Sequence, residues 1–348
     1  MQVPHVCKRF RRIAALFFLI LAAALLVSCG RKATDYEQVS EAEKLIIRFS
    51  HVVGEDTPKG QAARRFAALM KERTNGRVEV QVFANGSLYS DYEELKALQE
   101  GYIQMIAPSL SKLSELAPEV EAFDLPFLYP SLTDYHRVLD GEAGRRLTEM
   151  IEQKGLVPLA FWDNAFKQFT SSPRPIHVPS DMQGMRVRIM PSKVLNKQFA
   201  MLGAKPLEMS FNDVYLALEK GQLDGQENTI SNIYTKRFYR VQDHLTISNH
   251  GYLGYLVLMN GEFWERLPDE IRQTFVETIR EVTLWERQMA EQINREQLDY
   301  IKACDCISIY RLTPDEKRHW KQFFQPLYQS ELTSWDPVFV KALHLPAP

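Results

Sequence analysis

The chain has 348 residues, 45% of them hydrophobic and 25% charged, and its formal net charge at pH 7 is −2. This composition is typical of a folded chain with room for two domains, and it excludes a largely disordered protein. The slightly acidic balance also argues against a nucleic-acid partner, because nucleic-acid-binding proteins carry a local excess of basic residues.

The N-terminal stretch has the features of an export signal. Four basic residues between positions 8 and 12 precede the apolar run 13–27, whose length suits a signal peptide and is short for a membrane span. The run ends in LVSC at 26–29, which resembles a bacterial lipobox. We therefore predict that Cys29 is lipidated. The alternative is a soluble secreted protein that is cleaved nearby.

Processing would make the chain more acidic. Removing residues 1–28 takes away four basic residues and no acidic ones, which changes the net charge from −2 to −6. A protein of this charge that binds an anion must concentrate its positive charge locally.

The first part of the remaining chain alternates strand and helix patterns, which indicates a parallel sheet with helical crossovers. Ligands of such sheets lie beyond the carboxyl ends of the strands. The predicted elements are a strand over 45–50, a helix over 58–73 with Thr57 as its N-cap, a strand over 78–82, a helix capped by Asp91, and a strand over 103–107.

The second part repeats this pattern after a predicted domain crossing near residue 162. The predicted elements are a strand over 156–162, a polar loop over 163–168, a strand over 185–190, a helix over 192–202 opened by Ser192, a helix from a capping box at Ser210 to Gly221, and a polar loop over 224–228. The chain then continues with a strand over 251–259, a long helix over 268–303 and short helices over 313–345.

The strand at 185–190 carries two arginines, Arg186 and Arg188, between apolar residues. We predict that Arg188 binds a ligand carboxylate, because its planar guanidinium can donate two parallel, charge-assisted hydrogen bonds to one. Arginines on such a strand can also be merely solvated. Strict alternation places both side chains on one face, so the pattern alone does not distinguish them.

Cys304 and Cys306 are the cysteines outside the signal segment, and we predict that they stay unpaired. Residues two apart form a disulfide only with strain, and no second cysteine pair or ordered histidine set accompanies them for zinc. The sequence also contains no HExxH, GxSxG, GxxxxGK[ST] or GxGxxG motif. We therefore expect no enzymatic activity, no cofactor and no metal site.

Several stretches, in order, resemble the substrate-binding proteins of TRAP transporters, specifically the DctP type that captures C4 dicarboxylates. The resemblance covers about residues 45–300. The stretches that carry it are 49–60, 124–127, 161–168, 184–188, 214–218 and 221–228 together with Val241 and Gln242.

The resemblance implies an α/β fold, a two-domain periplasmic-binding-protein-like clamshell (type II-like) with a long bracing helix. Together with the N-terminal signal read from the residues, which departs from many relatives in its lipobox, the expected organisation is a lipoprotein signal peptide and lipidation site over 1–29, a tether over 30–44, domain I over 45–161 with about 251–285, domain II over 162–250 with about 286–330, and a C-terminal tail over 331–348.

The resemblance also assigns roles to individual residues. Arg188 falls on the carboxylate-binding arginine of the family, Asn228 on an asparagine that orients the ligand, and Phe211 on an aromatic residue that covers it. These three residues are predicted to contact the ligand directly.

Four further residues are predicted ligand contacts. Lys167 and Lys59 are candidate partners for a second carboxylate, and Lys59 lies at a helix start, where the dipole favours an anion. His51 and Ser109 occupy loop positions that face the cleft in relatives. The chain departs from the subgroup at Ala165, where glycine is usual, which leaves the ligand's exact identity open.

These implications define an expected function. The chain is predicted to be the extracytoplasmic solute receptor of a TRAP transporter, which binds a small carboxylate such as malate, succinate or fumarate between its domains and delivers it to the membrane permease. The expected location is the periplasm or cell envelope, with an anchor to the membrane surface through lipidated Cys29. The alternatives are a ligand-sensing subunit for a membrane sensor and an exported enzyme acting on a carboxylic acid.

Overall fold

The computed structural model describes residues 44–344. The predicted signal peptide, Cys29 and nearly all of the predicted tether lie outside the described residues. Within 44–344, none of the helices combines the length and the apolar character needed to cross a bilayer.

Nine strands form one mixed sheet through the described part of the chain, in the order β2-β1-β3-β8-β4-β7-β5-β6, with β9 paired to β8. The strands are β1 (Leu45–Ser50), β2 (Val78–Phe83), β3 (Met105–Ile106), β4 (Leu156–Ser171), β5 (Arg186–Ile189), β6 (Lys205–Glu208), β7 (Gly225–Asn228), β8 (His244–Asn260) and β9 (Ser308–Arg311).

Helices cover the sheet and connect its strands. They are α1 (Pro58–Arg73), α2 (Glu94–Gln99), α3 (Leu132–Leu139), α4 (Glu142–Glu152), α5 (Lys193–Met201), α6 (Val214–Glu219), α7 (Ile230–Thr235), α8 (Gly261–Arg266), α9 (Asp269–Ala303), α10 (Pro314–Phe323), α11 (Gln325–Leu332) and α12 (Pro337–Ala342).

The sheet has two lobes joined by two long strands. In the first lobe β1 pairs in parallel with β2 and β3, and in the second lobe β5 pairs in parallel with β6 and β7. The antiparallel strands β4 and β8 run through both lobes. This is the two-domain clamshell arrangement that the sequence predicts, with the two strands β4 and β8 passing from one lobe to the other.

The best-predicted helices begin at residues whose side chains cap them. The Thr57 side chain accepts a hydrogen bond from the Gly60 amide at 3.1 Å, and Pro58 occupies the first helical position of α1. The Ser192 hydroxyl accepts one from the Leu195 amide at 3.2 Å and opens α5. Local capping chemistry therefore determines both helix starts, which confirms these two predictions.

The predicted loop at 163–168 is wrong, because β4 continues to Ser171. Its pairing with β8 shifts register at three points, between Pro158 and Ala160, Asp163 and Ala165, and Lys167 and Phe169. Each irregularity interrupts the period-two alternation of polar and apolar residues, so the stretch does not have the pattern of a strand.

The predicted loop at 224–228 is also wrong. Residues Gly225–Asn228 form β7, which lies between β4 and β5 and is fully buried. Its polar side chains are bonded inside the protein: Gln226 Nε2, for example, donates to the Thr170 hydroxyl at 2.9 Å. A buried strand whose polar side chains find partners inside the protein need not show the apolar run that identifies buried strands in sequences.

The long helix α9 has 35 residues, as the sequence predicts, and contacts both lobes. Thr278 accepts a hydrogen bond from Arg73 at the end of α1 at 3.0 Å, and Asn294 accepts one from the Ser231 amide of α7 at 2.9 Å. At about 1.5 Å per residue the helix spans roughly 50 Å, which is enough to brace the first lobe against the second.

The expectation of unpaired cysteines is wrong. Cys304 and Cys306 form a disulfide, with their Cα atoms 5.2 Å apart. Asp305 between them adopts a left-handed conformation with φ of 51°, which turns the chain at the end of α9 and brings the two Cα atoms within the normal disulfide range.

Candidate ligand-binding cavity

A cavity lies between the two lobes, where β1, β3, β5 and β7 end. It contains about 370 Å³ of empty space, including its mouth. Both lobes and β8 contribute to its wall, so it exists only when the lobes are in contact. The lining residues are Val52, Val53, Lys59, Glu94, Pro108, Ser109, Lys112, Arg188, Met190, Phe211, Asn228, Asn232, Leu253 and Tyr255.

Arg188 lines the cavity and is 2% exposed. Its Nε and Nη2 donate to the Met209 carbonyl at 3.0 and 2.9 Å, which fixes the guanidinium plane. A guanidinium has five N–H donors, so this anchoring leaves three of them for a ligand. A fixed arginine with free donors is suited to bind a carboxylate at low entropic cost.

Arg186 has a different environment, although it lies two residues away on the same strand. Its guanidinium is half-exposed and pairs with Asp224, from Nη2 to Oδ1 at 2.7 Å and from Nε to Oδ2 at 3.0 Å. The ion pair raises the pKa of Arg186 and lowers that of Asp224. The local partners therefore distinguish the two arginines.

Asn228 at the end of β7 is oriented by its neighbours. Its Oδ1 accepts hydrogen bonds from the Thr229 amide at 3.1 Å and from Asn232 Nδ2 at 2.7 Å. Because the oxygen is occupied, the amide NH₂ group is the part of the side chain that remains for a ligand. Such a donor suits a carboxylate oxygen.

Lys59 and Ser109 line the cavity from the first lobe. Lys59 Nζ donates to the Ala107 carbonyl at 2.7 Å and lies 3.8 Å from the centroid of the Tyr255 ring. Burial lowers the pKa of Lys59 to about 7. The Ser109 hydroxyl lies 3.4 Å from Met190 Sδ, a weak acceptor that a ligand oxygen can replace.

Phe211 covers the cavity from the second lobe and is 5% exposed. Its ring centroid is 5.8 Å from Arg188 Cζ and 5.1 Å from Lys236 Nζ. This position excludes water from the guanidinium, and exclusion of water strengthens its interaction with an anion.

Two charged residues that the sequence analysis did not select as ligand contacts pair at the cavity. Lys112 lines the wall and forms an ion pair with Asp91. Burial lowers the pKa of Lys112. Burial of Asp91 acts to raise its pKa, but Lys112 and the hydrogen bonds from Ser210 and Phe211 outweigh this effect and lower it.

The prediction that Asp91 caps a helix is wrong. Helix α2 begins at Glu94, and no side chain caps it. Instead, Asp91 Oδ1 accepts from the Ser210 hydroxyl at 2.5 Å and Oδ2 accepts from the Phe211 amide at 3.1 Å. Asp91 thus connects the first lobe to the second beside the cavity.

Glu94, in the first turn of α2, is a third charged residue that the sequence analysis did not select. It is 1% exposed, lines the cavity, and neither of its carboxylate oxygens has a hydrogen-bond partner. Burial raises its pKa to about 7, although Lys59 and Lys112 act in the opposite direction. In the sequence, Glu94 is one of two consecutive glutamates before a helical run, so no local signal separates it from its exposed neighbour Glu93.

Lys167 does not lie among the residues that line the cavity. Its Nζ donates to Glu227 at 2.6 Å and lies 4.0 Å from Asp124. His250 Nε2 contacts the other oxygen of Glu227 at 2.7 Å. The ammonium is occupied by a buried acidic partner, which the sequence pattern does not reveal because Glu227 comes 60 residues later.

Lys167, Glu227, Asp124 and His250 form a buried cluster, which we call the Lys167 cluster. It shifts the pKa values of its two carboxyl groups. Burial of Glu227 acts to raise its pKa, but Lys167 and His250 together lower it to about 2. Burial raises the pKa of Asp124 to about 6 against the influence of Lys167. This arrangement serves to hold β4, β7 and β8 together behind the cavity.

His51 does not line the cavity either. Its ring is fully buried, and its centroid lies 6.2 Å from that of Phe49 in an edge-on arrangement. Burial, followed by the nearby Lys59, lowers the pKa of His51 to about 3. The next two residues in the chain, Val52 and Val53, reach the cavity wall in its place.

Two α/β lobes joined by long strands, with a buried cationic cavity between them, define a solute-binding protein. The chain matches the family model DctP, described as bacterial extracellular solute-binding protein, family 7, over residues 49–334. The chain belongs to this family.

Relatives of known name agree with the match. The chain is 44% identical over 338 residues to the C4-dicarboxylate-binding protein DctB of Bacillus subtilis, with 94% of this chain and 95% of that protein covered. It is 43% identical over 288 residues to the C4-dicarboxylate-binding periplasmic protein DctP of Rhodobacter capsulatus, with 82% and 86% covered.

Solved structures share the fold. A TRAP periplasmic solute-binding protein from Shewanella oneidensis with bound succinate matches with a TM-score of 0.84 and 37% identity, over 86% of this chain and 98% of that one. One from Pseudomonas aeruginosa with bound L-malate matches with a TM-score of 0.80 and 36% identity, over 82% and 99%.

Proposed function

We propose that this protein is the extracytoplasmic solute receptor of a TRAP transporter and that it binds a C4 dicarboxylate such as succinate, malate or fumarate. The observation that carries the proposal is Arg188, a buried guanidinium that is fixed by the Met209 carbonyl and retains three free donors at the wall of an interlobe cavity. The named relatives and the succinate-bound and malate-bound structures support this ligand class.

The other lining residues provide for a second carboxylate. Lys59 and Lys112 contribute cations from the first lobe, opposite Arg188 and Asn228 of the second lobe. A four-carbon dianion is strongly hydrated, and its burial is favourable only when each carboxylate gains charge-assisted donors. Because the donors lie on both lobes, a bound dianion would bridge the lobes. Ligand binding would therefore stabilise the closed arrangement of the lobes.

The proposed function requires a membrane partner, because a receptor that only binds the solute does not move it across the membrane. The proposed partner is the permease of a TRAP transporter, which would recognise the closed, ligand-bound form. We further propose that Cys29 carries a lipid that holds the receptor at the membrane surface. Labelling with a radioactive fatty acid that disappears in Cys29→Ser would support the anchor, and equal labelling of both proteins would contradict it.

Isothermal titration calorimetry of the purified protein tests the ligand class. Succinate, malate and fumarate are titrated in parallel with butyrate, a matched four-carbon monocarboxylate, and with lactate. We expect micromolar binding of at least one dicarboxylate, equivalent to about −8 kcal/mol, and at least a hundredfold weaker binding of the monocarboxylates. Equal affinity for butyrate and succinate, or no binding of any dicarboxylate, would contradict the proposal.

A further inference from the structure

We propose that Glu94 takes up a proton when a dicarboxylate binds and donates that proton in a hydrogen bond to a ligand carboxylate. The inference rests on the proposed function and deepens it, because it assigns a ligand-binding role to an acidic residue inside an anion-binding cavity.

Glu94 is positioned to contact a ligand. It lines the cavity, it is 1% exposed, and both of its carboxylate oxygens lack a hydrogen-bond partner. A buried polar group without a partner is costly, so its retention in the wall needs an explanation. A ligand that fills the cavity would provide the missing partner. An ionised Glu94 can only accept hydrogen bonds and would repel a carboxylate, whereas a neutral Glu94 can donate one.

The charges around the cavity do not match a dianion. When all of these groups are ionised, Lys59 of α1, Lys112 after β3 and Arg188 of β5 contribute three positive charges, and Asp91 and Glu94 contribute two negative ones. The net charge of this set is therefore one positive. A dianion would leave an excess negative charge in a space from which water is excluded, and such an excess is costly. Protonation of Glu94 raises the net charge of this set to two positive, which balances the two negative charges of a dianion.

The free protein is already close to this protonation at neutral pH. Burial raises the pKa of Glu94 to about 7, while Lys59 and Lys112 oppose the shift and Asp91 adds to it. A nearby dianion raises the pKa further, because it favours the neutral form of the carboxyl group. Little free energy is therefore needed to add the proton near neutral pH.

The negative charge of the ligand also acts on Lys59. Burial lowers the pKa of Lys59 to about 7. A bound dianion would raise this pKa too, so proton uptake alone does not identify Glu94. The experiment therefore needs a signal that belongs to a neutral carboxyl group. Glu100 provides a matched control, because it is an exposed glutamate at the end of the same helix α2.

The first measurement is infrared difference spectroscopy of the wild-type protein with and without succinate. We expect a C=O band of a neutral carboxyl group to appear on binding, to keep its frequency with ¹³C-labelled succinate, and to be absent in Glu94→Gln but present in Glu100→Gln. A band that shifts with the labelled ligand would place the proton on succinate and overturn the proposal. Absence of any band in the wild-type protein would also overturn it.

The second measurement is calorimetry of succinate binding in buffers of different ionisation enthalpy at pH 7.5. We expect the wild type and Glu100→Gln to take up about one proton more per ligand than Glu94→Gln. The affinity of the wild type should fall as the pH rises above 7, and that of Glu94→Gln should fall less, because the glutamine amide donates at every pH. At pH 9, Glu94→Gln should bind succinate more tightly than the wild type.

Equal proton uptake in the wild type and Glu94→Gln would assign the proton to Lys59 and overturn the proposal while leaving the proposed function intact. Failure of the wild-type protein to bind any dicarboxylate would instead reject the proposed function, and this inference with it. The infrared measurement on the wild type needs no variant to overturn the proposal, so the proposal stays falsifiable even where Glu94→Gln does not fold.

Discussion

The Ser210 hydroxyl of the second lobe donates a hydrogen bond of 2.5 Å to Asp91 of the first lobe, beside the cavity. The sequence predicts that both residues cap helices, yet neither side chain caps one. The Phe211 amide adds a second bond to the same carboxylate at 3.1 Å. This contact can exist only while the lobes are closed, so it stabilises the closed form.

Ser210→Ala is expected to accelerate release of the ligand. Loss of one hydrogen bond that forms on closure costs about 1 kcal/mol, which corresponds to a roughly fivefold faster dissociation with little change in association. Stopped-flow fluorescence with succinate measures both rates.

The matched control for this variant is Ser131→Ala. Ser131 is a true N-cap, whose hydroxyl accepts from the Asp134 amide at 3.2 Å at the start of α3. Its removal should lower the free energy of unfolding by about 1 kcal/mol and leave ligand dissociation unchanged. Identical dissociation rates in the two variants would show that the Asp91–Ser210 bond does not hold the closed form.

Arg188→Ala is expected to weaken dicarboxylate binding at least a hundredfold, because it removes the charge-assisted donors for one carboxylate. Arg186→Ala, two residues away, removes a half-exposed guanidinium that pairs with Asp224 and should change the affinity less than threefold. Calorimetry with succinate compares them, and circular dichroism checks that both variants fold. Similar affinities for the two variants would remove Arg188 from the ligand site.

Lys167→Met is expected to destabilise the fold rather than to alter only ligand binding. It leaves Glu227 buried with only His250 beside it, and the loss of one partner of a buried ion pair costs about 3–5 kcal/mol. The double variant Lys167→Met with Glu227→Gln should recover much of this loss, because the negative charge of Glu227 is removed together with its positive partner. Urea unfolding at pH 7 measures both effects.

The control for Lys167 is Lys302→Met, which removes an exposed lysine paired with exposed Asp299. Its free energy of unfolding should stay close to that of the wild type. If Lys167→Met were as stable as this control but failed to bind succinate, Lys167 would be a ligand contact after all.

His51 should make the protein less stable in mild acid. Its pKa in the folded state is lowered to about 3, while that of the unfolded chain is near the ordinary 6.5. Between these values the unfolded state binds the extra proton, so the His51 contribution to stability is fully present above pH 6.5 and declines as the pH falls towards 3. From pH 6.5 to 5 the loss is about 2 kcal/mol.

Urea unfolding at pH 6.5 and pH 5 measures this loss as the difference between the wild type and His51→Gln. His319→Gln serves as the control, because His319 is exposed. A wild-type protein whose pH dependence equals that of His51→Gln would contradict the buried, neutral state of His51.

Much of the fold follows from local sequence. The helices at Pro58–Arg73, Lys193–Met201 and Asp269–Ala303 were predictable because a cap, a proline or a long apolar period marks each of them. The strands β4 and β7 were not, because their polar residues find partners in distant strands and bulges break their alternation. A local pattern cannot report on partners that are far away in the sequence.

The candidate cavity shows the same contrast between local sequence and tertiary structure at the level of single residues. The sequence by itself determined the family and the two-lobe architecture. It also led to the prediction that Arg188, Asn228, Phe211, Ser109 and Lys59 contact a ligand, and all five line the candidate cavity. Only the tertiary structure decided which charges are free. It pairs Lys167 with Glu227, buries His51 behind the wall, and leaves the Glu94 carboxylate without a partner inside the cavity. The residue type determines the charge and the hydrogen-bonding groups of a side chain. Whether these groups remain available to a ligand depends on the residues that contact them in the folded protein.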